Sequence, residues 1–177
     1  MNNGLTQKPL VTAGTFMGIG LGGFLDGIVF HQLLQTHNML SAKYPKTSIA
    51  NMEINMFWDG LFHAFTWMMT ALGLWMLWRA VTRRDVLLSG KTLFGALVFG
   101  WGLFNFVEGL IDHHVLHIHH VVERLGVSVW DWAFLGVGGI GLMVLGWVII
   151  GTCRHDGRAR DSAGSQLGDS HPHGGIT

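Results

Sequence analysis

Histidine and acidic side chains are concentrated in a few short stretches of an otherwise apolar sequence. Eight histidines and five carboxylates fall in these stretches, namely His31, His37, His63, His113, His114, His117, His119 and His120 with Asp26, Asp59, Glu108, Asp112 and Asp131. Mixed imidazole and carboxylate donors suit zinc, copper and non-haem iron. The single cysteine, Cys153, excludes an intramolecular disulfide and any thiolate cluster. The chemistry is therefore expected to rest on nitrogen and oxygen ligands.

Three interpretations of these residues stay open. Buried acid–histidine pairs can hold helices together, although the set is larger than packing needs. A site for transition-metal ions would use the whole set, with copper, zinc and iron not distinguished, and the nearby Met39, Met52 and Met56 keep Cu(I) open. Facing histidines such as His31 and His113 would ligate a b-type haem, although the neighbouring carboxylates are a poor setting for an apolar porphyrin.

The elements that must position these groups are membrane-spanning helices. Of the 177 residues, 12% are charged and 49% are hydrophobic, whereas a soluble domain carries about 25% charged residues. The apolar residues form four blocks, at 10–34, 56–80, 92–116 and 130–151. Each block has about the 20 residues needed to cross the hydrocarbon of a bilayer. We therefore predict an all-α membrane protein with four transmembrane helices. The first block is too long for a signal peptide and contains Asp26.

The positions of Lys and Arg predict how these helices are oriented. One side of the membrane holds eight of the 11 basic residues, namely Lys8, Arg79, Arg83, Arg84, Lys91, Arg154, Arg158 and Arg160. The other side holds Lys43, Lys46 and Arg124. We therefore expect residues 1–9 to be a short cytoplasmic N-terminus and residues 10–151 to form the transmembrane domain. Residues 152–177, rich in Gly, Ser, Asp and His, are predicted to be a disordered cytoplasmic tail in which His171 and His173 are solvated.

The sequence contains an internal repeat. A shift of 82 residues places 18–37 on 100–119 with eight identical positions, and a shift of 72 residues aligns the second block with the fourth. The matched pairs are Asp26 with Glu108, His31 with His113, His37 with His119, and Asp59 with Asp131. We therefore predict a duplicated two-helix hairpin, with halves at about 10–80 and 92–151. Because the halves have the same orientation, a pseudo-two-fold axis would run along the membrane normal.

The position of each polar group along its helix places the whole set near the outer face of the membrane. Asp26 lies about 16 residues, roughly 24 Å, beyond the start of the first block, and Asp59 falls in the first two turns of the second block. Ionisable groups at such depth are costly unless they are paired, ligated or hydrated. The helical angle between Asp26 and His31 is about 140°, so both face one centre only if the helix unwinds near Gly27.

We predict ten metal ligands: Asp26, His31, His37, Asp59, His63, Glu108, His113, His114, His119 and His120. The inner set is expected to be Asp26, His31, Asp59, His63, Glu108 and His113. A second site or access path at the membrane surface is expected at His37, His119 and His120.

Three long stretches resemble a bacterial integral-membrane family, domain of unknown function 2243. They are Gly-Gly-Phe-Leu-Asp-Gly-Ile-Val-Phe-His-Gln (22–32), Phe-Trp-Asp-Gly-Leu-Phe-His-Ala-Phe-Thr-Trp (57–67) and Gly-Trp-Gly-Leu-Phe-Asn-Phe-Val-Glu-Gly-Leu-Ile-Asp-His-His (100–114). The resemblance covers about residues 10–151, and the ten predicted ligands match positions that recur in the family pattern. Asn38 departs from it, because a second histidine often follows there, and His117 stands where a small residue is usual. The resemblance implies a bacterial inner (cytoplasmic) membrane and a neighbourhood of respiratory-oxidase assembly proteins, hence copper.

The leading functional hypothesis is a membrane metal-binding protein that stores a transition metal or delivers it to a respiratory oxidase or its assembly factors. The alternative is a di-metal membrane oxidase or hydroxylase, using non-haem iron or copper, that acts on a lipid-soluble substrate. A transporter is disfavoured because residues 14–23 and 93–104, below the polar groups, are almost wholly apolar. No nucleic-acid partner is expected, and a homo-oligomer is left open.

Overall fold

The computed structural model describes residues 5–152. Its four long helices are α1 (Lys8–Leu33), α2 (Ile49–Val81), α3 (Gly90–Val115) and α4 (Val129–Thr152), and each is long and apolar enough to cross a membrane. Between residues 5 and 152 the only β-structure is an isolated bridge between Thr6 and Val86. The prediction of an all-α protein with four membrane-length helices is confirmed. The tail predicted to be disordered, with His171 and His173, lies outside the described residues from position 153 onward.

Two helices form the inside of the bundle and two form its outside. About half of the most apolar window is buried in α1 and α3 (44% and 50%), whereas only 17% is buried in α2 and in α4. Helix α1 packs on both α2 and α3, and α3 packs on α4. The outer helices expose large apolar side chains such as Trp67, Trp78 and Trp147. Apolar side chains on this outer surface are suited to lipid contact, since lipid tails replace water around the bundle.

Glycine permits the inner helices to cross at close range. A Cβ atom on Gly18 would overlap the carbonyl of Leu97, and one on Gly100 would overlap the carbonyl of Thr15. The two backbones therefore touch at a point where no side chain can lie between them, as in the small-residue contacts of other membrane helices. This contact fixes how the upper parts of α1 and α3 face each other.

Both inner helices widen into π-helix at the end of the bundle that holds the histidines. The α-helical part of α1 ends at Asp26 and a π-helix runs over Gly27–Leu33, while in α3 the change comes after Glu108 and the π-helix runs over Gly109–Val115. Each then stops at a non-glycine residue with positive φ, Gln35 (φ 51°) or His117 (φ 48°). The backbone turns sharply at these positions because the left-handed conformation cannot continue the helix.

The outer helices begin differently from each other. Helix α2 starts at Ile49, where the Ser48 side chain accepts a hydrogen bond from the Asn51 amide, so it begins seven residues before the predicted start at 56. Helix α4 starts at Val129 with a capping box between Ser128 and Asp131 and passes through a π-helix at Phe134–Gly141. Asp59 therefore lies about ten residues, roughly 15 Å, inside α2 rather than in its first two turns.

Each end of the bundle is tied by backbone hydrogen bonds. At one end the amide of Thr6 donates to Asp85 (2.9 Å) and the amide of Leu87 donates to Thr6 (3.0 Å), which joins the N-terminal segment to the α2–α3 loop. At the other end the loops 34–48 and 116–128 are joined, since the amide of Ala42 donates to the carbonyl of Ile118 (3.0 Å). Helix bounds and positive-φ residues recur at a spacing of 82 residues, and the two-fold relation of the halves stays a prediction.

Candidate metal centre

The π-helical segments bring acid and histidine together on the inner helices. Asp26 and His31 are five residues apart, the spacing that a π-helix places on one face, and Asp26 Oδ2 lies 3.3 Å from His31 Nε2. In α3 the same spacing leaves Glu108 Oε1 at 3.2 Å from His113 Nε2. The unwinding near Gly27, which the helical angle of about 140° made necessary, is therefore present.

A carboxylate from each outer helix lies behind one of these histidines. Asp59 Oδ1 is 3.0 Å from His31 Nδ1 and also accepts a hydrogen bond from the Met39 amide (2.8 Å). Asp131 Oδ1 is 3.2 Å from His113 Nδ1 and accepts from the Val121 amide (3.0 Å). Asp59 and Asp131 are thus on the far side of each ring from Asp26 and Glu108. A carboxylate in this position fixes the tautomer and leaves Nε2 with a lone pair for an ion.

His37 and His119 lie between the two inner helices and are held by the opposite half of the chain. His37 Nδ1 donates to the carbonyl of Val121 (3.1 Å) and His119 Nδ1 donates to the carbonyl of Met39 (3.1 Å). Their rings are stacked, with centroids 4.7 Å apart and planes within 4°. Since a carbonyl can only accept, each Nδ1 carries the proton, and in the neutral ring each Nε2 has a free lone pair.

The two stacked rings differ in how they hold a proton. Burial, with His119 close by, lowers the pKa of His37 well below its usual value. Burial also acts to lower the pKa of His119, but its hydrogen bond to Glu108 (2.7 Å) and the charge of that carboxylate raise it overall. His37 is therefore held neutral, while positive charge is favoured beside Glu108.

Six of these residues form one buried group, which we call the central cluster: Asp26, His31, His37, Glu108, His113 and His119. Each has at most 8% of its surface exposed. One donor atom from each of His31, His37 and His119 lies within 4.8 Å of the others, and the same holds for Glu108, His113 and His119. His119 belongs to both sets of three.

The contacts of the central cluster fit ligands of a metal ion better than hydrogen-bonded pairs. Within residues 5–152, His31 Nε2, His37 Nε2 and His113 Nε2 make no hydrogen bond, although all are buried. Two donors that share an ion at a bond length of about 2.0 Å lie about 2.8–3.3 Å apart, which covers the 3.3 Å and 3.2 Å acid–histidine distances. Buried polar atoms without a partner are costly, so a missing ion explains them economically.

Haem fits this arrangement poorly. The rings of His37 and His119 both lie between His31 and His113, with centroid distances to His31 of 4.7 Å and 5.9 Å and to His113 of 6.3 Å and 4.8 Å. A porphyrin between His31 and His113 would need that space and an apolar lining.

Three of the predicted ligands lie outside the central cluster. His63 Nδ1 donates to the Asp59 carbonyl in its own helix (2.7 Å), and His114 Nδ1 donates to the Gly109 carbonyl (2.8 Å) and its ring meets Trp132 edge-on. His120 lies behind Asp131, with Nδ1 3.5 Å from Oδ1. The expected inner set therefore differs from the observed one, since His37 and His119 lie inside and His63 lies apart.

Sequence reasoning missed the backbone groups that hold the cluster. The carbonyls of Met39 and Val121 and the side chains of Asn38 and Ser128 orient its histidines and carboxylates. The shift of 82 residues, which puts Met39 on Val121 and His37 on His119, was the available signal for these contacts.

A family model described as "Predicted membrane protein (DUF2243)" matches residues 13–152. The chain belongs to this family. The matched range of DUF2243 contains all four long helices almost completely and every residue of the central cluster. The chain is thus a multi-pass member of a membrane family with a buried histidine and carboxylate cluster compatible with metal binding. No curated protein and no solved structure gives a significant match to this DUF2243 chain.

Proposed function

We propose that the central cluster binds one or two transition-metal ions inside the membrane domain. The observation that carries the proposal is the arrangement around the four imidazoles. Each Nδ1 faces a carboxylate or a backbone carbonyl, at 3.0–3.2 Å. The other nitrogen of each ring is thereby free for an ion, beside the carboxylates of Asp26 and Glu108.

A purely structural role accounts for less of this arrangement. Acid–histidine pairs that only join helices gain most when donor and acceptor are aligned. Here Asp26 Oδ2 and His31 Nε2 approach to 3.3 Å without hydrogen-bond geometry, and neither atom has another partner in residues 5–152. Two groups that both point at a third position are expected where a cation belongs.

The donor set fits copper, zinc or iron. Imidazole nitrogen and carboxylate oxygen are common ligands of all three ions, and a bound divalent ion would offset the two buried negative charges of Asp26 and Glu108. The protein contributes the positions of the ligands and their proton states, since an ion displaces the proton that His119 shares with Glu108.

The biological role we propose is storage of the ion or its delivery to a respiratory oxidase in the bacterial inner membrane. The bundle end with Arg79, Arg83, Arg84 and Lys91 is taken as cytoplasmic, because basic residues favour that side. The cluster would then lie near the outer face, where an ion arrives or leaves without crossing the apolar lower half of the bundle.

Catalysis is the second candidate, and one observation favours it. His119 lies in both sets of three donors, an arrangement suited to two neighbouring ions. Two ions that share six protein ligands would keep open positions, as catalytic metal sites do, whereas one ion would be nearly enclosed. The number of ions per chain therefore separates a carrier from a di-metal oxidase.

The test is elemental analysis of the full-length protein, purified in detergent without chelator and then loaded with Cu²⁺, Zn²⁺ or Fe²⁺. We expect a whole number of ions per chain, and loss of bound metal in His119→Ala because both donor sets lose a ligand. His114→Ala removes an imidazole from the same end of the bundle and should bind like the wild type. A folded wild-type chain that retains none of these metals, with unchanged binding in His119→Ala, contradicts the proposal.

A further inference from the structure

The two halves of the chain differ at the residue beside the outer-helix carboxylate. In the first half Asn38 occupies this place and donates to Asp59 Oδ2 (2.5 Å). In the second half the corresponding residue is His120, whose Nδ1 lies 3.5 Å from Asp131 Oδ1 without a hydrogen bond. His120 has only 7% of its surface exposed. A buried imidazole nitrogen without a partner is costly in a residue that serves packing alone.

His120 connects the central cluster to the surface of the protein. Its ring centroid lies 6.4 Å from that of His113, inside the cluster, and 5.8 Å from that of His117. His117 is exposed and has the positive φ of 48° at the end of α3. The three imidazoles thus form a continuous series from the surface to the buried centre, in which Asp131 touches the inner two.

The spacing of this series suits the passage of an ion. Two imidazoles on opposite sides of one ion have centroids about 6 Å apart, because each nitrogen lies about 2 Å from the ion. Both steps, 5.8 Å and 6.4 Å, are close to this distance. The fully buried carboxylate of Asp131 offers a negative charge at the inner step. The first half has no such series, since Gln35 and Asn38 stand at the positions of His117 and His120.

We infer that His117 and His120 form a loading route by which a transition-metal ion reaches the central cluster from the outer end of the second half. The inference rests on the proposed function of the central cluster. The route carries the ion in both directions, so its residues set the rates of binding and release. They are not ligands of the ion in its final position, and they leave its affinity unchanged.

The experiment uses Co²⁺ as the probe, because its visible absorption reports ligation, with the full-length chain in detergent and stopped-flow mixing. His120→Asn introduces the residue that the first half already accommodates, and His117→Asn keeps a side chain that tolerates positive φ. Gln35→Asn is the matched control at the corresponding surface turn, with φ 51°. We expect both histidine variants to slow Co²⁺ binding about tenfold or more, a barrier change of about 1.4 kcal/mol, and the control to load like the wild type.

The outcomes separate the route from the centre. Unchanged Co²⁺ stoichiometry and affinity with slower binding and slower release support the route. Binding at the wild-type rate in both histidine variants overturns the route alone. Loss of a bound equivalent in His120→Asn makes His120 a ligand and also overturns it. A wild-type chain that takes up no Co²⁺ and none of the other tested metals overturns the central cluster as a metal site, and the route with it.

Discussion

Replacement of Asp59 by asparagine tests how the histidines are held. Asp59 accepts hydrogen bonds from the Met39 amide and the Asn38 side chain and lies 3.0 Å from His31 Nδ1. An asparagine of the same shape keeps one oxygen acceptor but loses the negative charge. Its amide nitrogen would also meet the donor group of Asn38, so one of the three contacts must be lost or rearranged.

The expected effect is a weaker centre with the same number of ions. Loss of a carboxylate that orients a metal-bound histidine typically reduces metal affinity about 10–100-fold, which corresponds to about 1.4–2.7 kcal/mol. The ligand atom His31 Nε2 stays in the protein, so stoichiometry should not fall. The apoprotein should lose stability as well, because hydrogen bonds to a buried charge contribute about 1.5–3 kcal/mol each.

The assay is competition between the protein and a chelator of known affinity, with the bound metal quantified at saturation. Glu53→Gln is the matched control, since Glu53 is an exposed carboxylate on the same helix, and it should bind like the wild type. Loss of one ion in Asp59→Asn would mean that Asp59 is itself a ligand. Unchanged affinity in a folded Asp59→Asn protein would show that the carboxylate does not orient His31 for binding, and would refute the reasoning.

Two further predictions concern the scaffold and the excluded histidine. Gly18→Leu should abolish folding, because even a Cβ overlaps the Leu97 carbonyl, whereas Gly60→Ala, where a Cβ meets nothing within 4 Å, should be neutral or slightly stabilising. Thermal unfolding in detergent measures both, and a Gly18→Leu protein as stable as the wild type would contradict the close helix crossing. His63→Ala should keep the wild-type number of bound ions, since His63 Nδ1 is committed to the Asp59 carbonyl, and a loss of metal in elemental analysis would place it back among the ligands.

Hydropathy predicted the existence of the helices because lipid-length apolar blocks have few alternatives. Three of the four observed helices begin and end within two residues of the predicted blocks. The start of α2 was wrong by seven residues because Asn51, Glu53 and Asn55 are polar. Asn55 is nevertheless buried and donates to the Tyr44 carbonyl (2.8 Å). Polar helical turns held by loop contacts have no hydropathy signal.

The composition of the centre was harder to predict than its place in the chain. Position along the sequence put His37 and His119 above the membrane groups, as a surface site. The backbone instead reverses at Gln35 and His117 and folds both rings inward, where they are fully buried. Positive φ at glutamine and histidine is uncommon, and no local pattern predicts it. The π-helical spacing of Asp26 and His31 was foreseen only as a condition.

Differences between the halves bear more directly on function than their matched contacts do. Corresponding contacts, such as those of His37 with Val121 and His119 with Met39, serve equally to build a scaffold or a site. A scaffold has no use for the changes from Phe30 to Asp112 and from Asn38 to His120. Phe30 packs its ring on His37, whereas Asp112 sets a negative charge near His119.

These changes add charge and unpaired nitrogen in one half only. Packing alone would favour the first-half solution in both places, because its groups are apolar or hydrogen-bonded and so avoid the cost of buried polar atoms. The second half bears that cost at Asp112 and His120, close to one another in sequence and at the same end of the bundle. A cation that approaches the cluster from this side is the simplest physical reason for keeping them.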